Sequence, residues 1–488
     1  MNRTMRPTTI LRSLLAAFAL SGLAGCALGP AYERPATPAP AAFKELAGWA
    51  PAAPADALER GPWWNLFGDP VLDGLVRQVE VSNQNVAAAV AAYSQARAVV
   101  AEQRAALFPT ATLNGGANRN GSGGGSNNSG NDNGNNNGNN SGGGRTSNSF
   151  RLNIGSSWEP DVWGRLRASV SVAQANAQAS AADLASARLS AQGELATDYF
   201  SLRSVDAQRA LLATTIEGYQ RVLKITQNRF DVGIVPHSDV YQAQTQLASA
   251  QSEDLTLARQ RAQLEHAIAV LVGKAPADFA LASAPWNVAV PDVPVGVPST
   301  LLERRPDIAA AERAVAAANA QIGIVRAAYF PQIGLTASYG PSASAIGDLF
   351  KASSVAWALG LSATETIFNG GANRAAVQGA GAAREQAVAR YRQTVLTAFA
   401  DVEDQLAATR VLAQQQDLQH QASQAADKVE EQVLNRYKAG QVSYSEVVQA
   451  QVTALNARRS LVQTQGNRQT TAVALIQSLG GGWHAGQE

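Results

Sequence analysis

One stretch of this chain occurs twice, and the two copies constrain everything around them. Arg229-Phe-Asp-Val-Gly233-Ile-Val-Pro236-His-Ser238-Asp-Val-Tyr-Gln-Ala-Gln244 returns as Arg436-Tyr437-Lys438-Ala-Gly440-Gln-Val-Ser443-Tyr-Ser445-Glu446-Val-Val-Gln449-Ala-Gln451. A basic residue, an aromatic, Gly, Val, Ser, an acid, Val and Gln-Ala-Gln keep their order without a gap. Each copy lies between Ala- and Gln-rich stretches whose apolar residues recur at helical spacing. Glycine ends a helix in the left-handed conformation, and a serine shortly after it is placed to cap the next helix. Each copy therefore predicts the tight tip of a helical hairpin, one over 231–238 and one over 438–445. Two such tips predict that the segments around them are duplicated as well.

The composition removes several function classes. The chain has 488 residues, with 39 Lys and Arg against 38 Asp and Glu, a net charge of +1. Nothing in that balance offers the basic surface a nucleic-acid partner needs. One Cys and four His exclude an internal disulfide and supply no metal-ligand spacing, so no cofactor is expected beyond a covalent lipid.

That lipid is read from the first residues. Residues 1–25 have the form of an export signal, with Arg3, Arg6 and Arg12 before the apolar run Leu14 to Leu20 and then small residues. The run is too short to cross a bilayer as a helix. It closes on Leu23-Ala-Gly-Cys26, which resembles the bacterial lipoprotein cleavage box. Cys26 then becomes a lipidated N-terminus that anchors the chain, and Ala27 at the next position favours the outer membrane by the same resemblance. The alternative is an ordinary cleavage site with an incidental Cys.

Residues 26–68 are rich in Pro and Ala and predict an extended strap. A first repeat covers 69–298. Its first helix opens at Asp69-Pro70, an acidic N-cap followed by Pro, and runs to about Leu107 with Leu72, Leu75, Val76, Val79, Val86, Val90 and Tyr93 on one face. Strands are expected at about 108–114 and 149–159, separated by a Gly/Asn/Ser tract from Asn114 to Asn148 that cannot bury a core. Arg165 to Phe230 then reads as one helix without Pro, about 100 Å long at about 1.5 Å per residue. A helix returns from Ser238 to about Val272 before a Pro-rich connector. The second repeat, 299–488, follows the same plan, with Thr300 and Glu303 as a capping box. Its helix begins at Arg305-Pro306-Asp307, its strands lie at about 330–340 and 354–364, and its long helix spans Ala372 to Lys438. The expected fold is mainly α with a small transmembrane β part.

Each strand is about ten residues with one apolar face, the pattern of an outer-membrane strand, although a soluble two-sheet sandwich would alternate similarly. Four strands cannot close a barrel, and open edges are not tolerated in lipid. In the membrane reading, copies of the chain must pool their strands; three copies of four make a twelve-stranded β-barrel over a helical tube on the scale of a periplasm. The residues alone lead to an oligomeric conduit, without fixing the number three.

Four runs go further: Trp64-Asn-Leu-Phe-Gly-Asp-Pro-Val-Leu72, Asp161-Val-Trp-Gly164, Leu301-Leu-Glu-Arg-Arg-Pro-Asp-Ile-Ala-Ala-Ala-Glu312 and Ile322-Gly-Ile-Val-Arg-Ala-Ala-Tyr-Phe-Pro331. They resemble the signature runs of the outer membrane efflux proteins, the TolC-like channels, in their lipidated NodT/OprM-type branch. The resemblance covers nearly the whole chain after the signal. It implies a homotrimer in the bacterial outer membrane with a periplasmic helical stalk, working with a periplasmic adaptor (membrane fusion) protein and an inner-membrane RND-type pump to expel drugs or other small toxic compounds. It further implies that the tips, with Gly233, Pro236, Ser238, Gly440, Ser443 and Ser445, dock on the adaptor. A lower-mouth constriction around Tyr437, Lys438, Glu446 and Gln449 follows from the same resemblance. Some relatives carry Asp at the position of Gln449, so an acidic ring at that level is not carried over.

Glu446 lies one turn before Gln449 and either rings the opening or stabilises a helix start. A conduit for protein or polysaccharide secretion is the alternative function. A hydrolase is disfavoured, because His237, His266, His420 and His484 stand beside no nucleophile motif.

Overall fold

Two helices of 67 residues organise the chain. The computed structural model describes residues 28–37, 40, 42–46, 62–121, 146–286, 289–293 and 304–482. The export signal, Cys26, the proposed Thr300/Glu303 box and His484 lie outside the described residues. In chain order the main elements are α1 (Pro70–Ser82), α2 (Gln84–Ala105), β1 (Thr110–Gly121), β2 (Thr146–Trp158), α3 (Arg165–Asp231), α4 (His237–Leu271), α5 (Pro306–Ala327), β3 (Gln332–Ala343), β4 (Val355–Thr364), α6 (Ala372–Lys438) and α7 (Tyr444–Ser478). The fold is mainly α-helical with one small β-sheet.

The chain divides into two compact units, each drawing on both halves of the sequence. One comprises 1–33, 97–175 and 316–385 and contains the sheet. Its four strands are antiparallel in the order β1-β2-β3-β4. The register aligns Leu113 with Ile154, Ile154 with Tyr339 and Tyr339 with Trp357, so an apolar row crosses all four strands. Trp158, Leu335 and Leu361 form a second row on the same face. Leu113, Tyr339, Trp357, Leu359 and Leu361 are all well exposed.

The strands run further than their composition predicts. The β1–β2 ladder continues through Arg119↔Asn148 to Gly121↔Thr146, so 114–121 and 146–148 are strand and not loop. Asn and Gly have poor strand propensity, but the ladder pairs the backbone N–H and C=O groups that the two strands turn toward each other, which outweighs it. Where the sheet meets the helices, Asp161 accepts hydrogen bonds from the N–H groups of Leu166 (2.8 Å) and Arg167 (2.9 Å), capping α3. Trp163 stacks on Phe330 at 4.9 Å and donates to the Pro331 carbonyl at 2.7 Å. Residues 28–33 lie along α5: Asn319 donates to the Pro30 carbonyl at 2.9 Å, and a Cβ on Gly29 or Gly323 would lie 3.3 or 3.2 Å from the other's Cα, so a larger residue at either would push the two backbones apart.

The other unit comprises 34–96, 176–315 and 386–488. Asp69 caps α1 through Val71 (2.9 Å) and Leu72 (3.2 Å) and accepts from the Tyr199 hydroxyl at 2.5 Å. Burial first, and then that bond, push the Tyr199 hydroxyl up to about 12. The single helix expected from Asp69 to Leu107 is broken at Asn83, whose extended backbone ends α1. Its side-chain oxygen accepts from Asn85 and Val86 to start α2, and its amide donates to the Leu271 carbonyl at 2.8 Å. No apolar periodicity signals such a break, because the residue that causes it is polar and satisfied locally. Two short stretches, 34–37 and 42–46, hold to α6, with Arg34 donating to the Tyr391 hydroxyl (3.3 Å) and the Lys44 and Glu45 N–H groups to Glu403 (2.6 and 2.9 Å).

The lengths of the paired helices agree. Both α3 and α6 have 67 residues, and both α4 and α7 have 35. Their boundaries are offset by one constant shift, since 372 minus 165 and 478 minus 271 both give 207.

Candidate functional site

The two repeated stretches form the α3–α4 and α6–α7 turns, and both use one backbone solution. Gly233 has φ +77° and Gly440 has φ +76°, the left-handed conformation expected of them. Gly233 N–H donates to the Phe230 carbonyl and Ile234 N–H to that of Arg229, each at 2.8 Å. At the other tip Gly440 donates to Tyr437 and Gln441 to Arg436, each at 2.9 Å. This satisfies the last helical carbonyls, which would otherwise lack partners.

The helix starts differ from the expected capping. Pro236 and Ser443 are the N-caps of α4 and α7, and neither makes a side-chain cap bond. Ser238 and Ser445 lie inside the first turn, and the Ser445 hydroxyl meets that of Ser443 at 2.7 Å. The turn is shorter than the serine spacing suggests, and Asp239 and Glu446 occupy the first helical turns, where an acid opposes the positive end of the helix.

The tips pack on each other within the chain. Val222, Ala243, Tyr437, Tyr444 and Val447 form a buried cluster. Arg229 donates to the Tyr437 carbonyl at 2.7 Å and lies 4.6 Å from the centre of its ring. Burial first, and then the neighbouring Tyr437, Tyr219 and Asp239, raise the Tyr444 hydroxyl above its ordinary range. Tyr437 is 2% exposed, so within this chain it is a packing residue and not part of a surface with Lys438, Glu446 and Gln449, all three of which are exposed. Gly233, Pro236, Ser238, Gly440, Ser443 and Ser445 all lie exposed at the surface of the tips. Val232 and Ile234 flank Gly233 with their side chains largely in solvent, a pair that sequence reasoning passed over. Apolar residues on both sides of a turn glycine were the available signal. Arg229 was the other omission, since its partner lies in the other repeat and no local pattern reveals that contact.

A similar pairing closes the opposite ends of the returning helices. Gly273 (φ +71°) follows α4 and lies against the Ser82 carbonyl, while Gly480 (φ +92°) follows α7 and lies against the Arg304 carbonyl. Arg305 binds Asp307 (2.7 Å), Asp401 (3.1 Å) and the Ser478 carbonyl (3.2 Å), which accounts for the Arg-Pro-Asp run. The connector after α4 is held by a buried network. Arg203 donates to the Ala282 carbonyl (2.8 Å), Arg261 to Asp206 (2.8 Å), and Leu281 N–H to Glu265 (2.6 Å). Of the histidines, His237 stacks between Phe230 (4.5 Å) and Tyr241 (4.2 Å), and His420 contacts Gln424. No group of three or more His, Cys, Asp and Glu could hold a metal among the described residues.

Known proteins share this arrangement over most of its length. The profile of the outer membrane efflux protein family matches residues 75–274 and 297–481. The probable efflux pump outer membrane protein TtgC of Pseudomonas putida is 31% identical over 466 residues, covering 95% of this chain and 94% of that protein. The solved outer-membrane channel OprN superposes with a TM-score of 0.85 at 28% identity, covering 94% of this chain and 100% of that one. The open state of the Neisseria gonorrhoeae MtrE outer membrane channel gives 0.81 at 28% identity, covering 94% and 98%. This chain belongs to the outer membrane efflux protein family: it is a non-catalytic channel, the outer-membrane component of an RND-type tripartite efflux system.

Proposed function

We propose that three copies of the chain pool their sheets into one closed twelve-stranded barrel in the outer membrane, continued by α3, α4, α6 and α7 as a periplasmic tube. The observation that carries this reading is the sheet itself. Strands β1 and β4 each have a neighbour on one side only and are exposed along their whole length, with Leu113 of β1 and Trp357, Leu359 and Leu361 of β4 on the sheet's apolar face. Two such edges in hydrocarbon would leave unpaired backbone groups at several kcal/mol each, and pairing β4 with β1 of the next copy removes both. The equal helix lengths and their constant offset support an internal duplication as the origin of this architecture. The tips, with Gly233, Pro236, Ser238, Gly440, Ser443 and Ser445, dock on a periplasmic adaptor, and the exposed Val232 and Ile234 offer it an apolar contact. An inner-membrane RND-type pump supplies drugs or other small toxic compounds, which the tube conducts passively. Cys26 carries a lipid that adds a second hold on the membrane.

The test is the state of the protein extracted from outer membranes. Amine-directed crosslinking should give a ladder that stops at three copies, and a Cys26→Ser variant should lose lipid label while still forming trimers. A wild-type protein that crosslinks only as a monomer, or fractionates with inner membranes, overturns the reading.

A further inference from the structure

The start of α6 keeps a cation whose partner the second repeat has lost. Gly164 and Gly371 precede α3 and α6 with φ +78° and +90°, and they are offset by the same 207 residues as the helices. That offset sets Arg374 against Arg167, Phe368 against Asp161 and Thr366 against Glu159. In the first repeat Arg167 binds Asp161 at 3.0 Å. In the second the arginine remains, but a phenyl ring stands where the carboxylate was, on a residue 88% exposed. Arg374 is exposed and makes no ion pair or side-chain hydrogen bond among the described residues. Helix electrostatics does not account for it, since a positive charge is disfavoured in the first turn of a helix.

A second arginine stands on the adjoining helix end. Asn373 donates to the Ala328 carbonyl at 3.0 Å, which holds the start of α6 to the chain leaving α5. Arg326, two residues before Ala328, is exposed and has no ion pair among the described residues. It donates to the Leu28 carbonyl at 3.5 Å. Leu28 is two residues from Cys26, so the lipid proposed there is tethered within about 7 Å of chain. Exposed apolar side chains adjoin these helix ends: Ile367 (96%) and Phe368 follow β4, and Tyr329 (46%) precedes β3. Cations beside exposed rings and aliphatic groups suit a membrane–water interface, where the apolar parts enter hydrocarbon and the charges reach the headgroups.

We propose that Arg326 and Arg374 bind the phosphate of an anionic phospholipid in the periplasmic leaflet, beside the lipid of Cys26. The occupant is a phospholipid because both cations lack an acid, and because β4, with its exposed apolar row, leads directly into Ile367 and Phe368. A guanidinium takes a phosphate oxygen as it takes a carboxylate oxygen, so Arg167 on Asp161 is the template within the chain. The inference rests on the membrane reading of the sheet given above. Lipids held there fix the depth of the sheet in the membrane, and with it the reach of the stalk.

Full-length protein in phosphatidylcholine vesicles tests the site, with a trace of acyl-chain spin-labelled phosphatidylglycerol or phosphatidylcholine. The motionally restricted fraction should favour phosphatidylglycerol about five-fold. Arg326→Gln and Arg374→Gln should each cut that preference by about half, and the double variant should abolish it, while Arg374→Lys keeps most of it. Equal restriction of the two lipids by the wild type overturns the headgroup site and leaves the membrane reading standing. No restricted lipid of either kind overturns that reading and the site with it. Loss of the preference to inorganic phosphate, but not to chloride of equal ionic strength, gives the pair to free phosphate and overturns the lipid. Dissociation of the trimer by Arg374→Gln gives that residue to a neighbouring copy and likewise overturns the proposal.

Discussion

A Cβ placed on Gly273 would lie 2.3 Å from the carbonyl oxygen of Ser82, and the same geometry recurs between Gly480 and the Arg304 carbonyl. Both glycines also have positive φ, so the backbone conformation and the close approach make the same demand. Gly233 shares the conformation, but a Cβ there would meet no atom within 4 Å. Gly273→Ala should therefore cost about 2–4 kcal/mol, from left-handed strain plus a backbone clash that no rotamer relieves. Gly233→Ala should cost about 1 kcal/mol, from the strain alone. Thermal unfolding of the purified variants checks the order, and equal losses would contradict it.

Asp198 on α3 has its carboxyl pushed up to about 6 by burial and, secondarily, by the charge of Glu194 one turn away. The ordinary value is 3.8, so between the two values the folded chain holds a proton that the unfolded chain has released. The contribution of Asp198 to stability therefore falls as pH rises from about 4 to about 6 and stays at the lower level above that. Asp198→Asn should abolish this slope and raise the melting temperature at neutral pH. Melting curves across that window decide it, and a wild type more stable at neutral pH than at about pH 5, with no change in the variant, would refute the assignment.

Glu446 is exposed in the first turn of α7, close in sequence to Lys438 and one turn before Gln449. Three copies of it around an axis would concentrate negative potential in a narrow opening. Glu446→Gln should then reduce the preference for cations in planar-bilayer recordings. Unchanged selectivity would confine Glu446 to stabilising the helix start.

The β1–β2 ladder closes its last pair at Gly121↔Thr146. Replacing 122–145 with a short Asn-Gly hairpin should leave trimers and export nearly unchanged, because every ladder pair survives. An epitope inserted between those positions should be reached by antibody on intact cells, and labelling only after lysis would invert the proposed topology.

The features legible in the sequence were those written locally. Gly233 and Gly440 mark the tips by their own conformational freedom, and the Pro-free run from Arg165 marks α3 to within a residue of its end. Asp69-Pro70 announces α1 for the same reason. What escaped depended on partners distant in the chain. The Asn- and Gly-rich ends of β1 and β2 become strand only because they pair with each other. Asn83 breaks a helix partly because the Leu271 carbonyl accepts its amide. Ser238 and Ser445 looked like caps until the tight turns placed the helix starts ahead of them. The resemblance placed Tyr437 in a lower-mouth constriction, and within this chain Arg229 from the other repeat covers its ring.

The equality of α3 and α6 makes the chain a pair of matched rulers. Each residue added to one helix alone would advance its turn by about 1.5 Å and rotate it by about 100°. Arg229 would then no longer face Tyr437, and one tip would stand proud of the other. Reach can therefore be changed only in step, by equal insertions in both helices and compensating ones in α4 and α7, ideally in multiples of about seven residues that preserve the facing side chains. A relative built for a wider or narrower gap between membranes would differ from this chain in four places at once, or not at all.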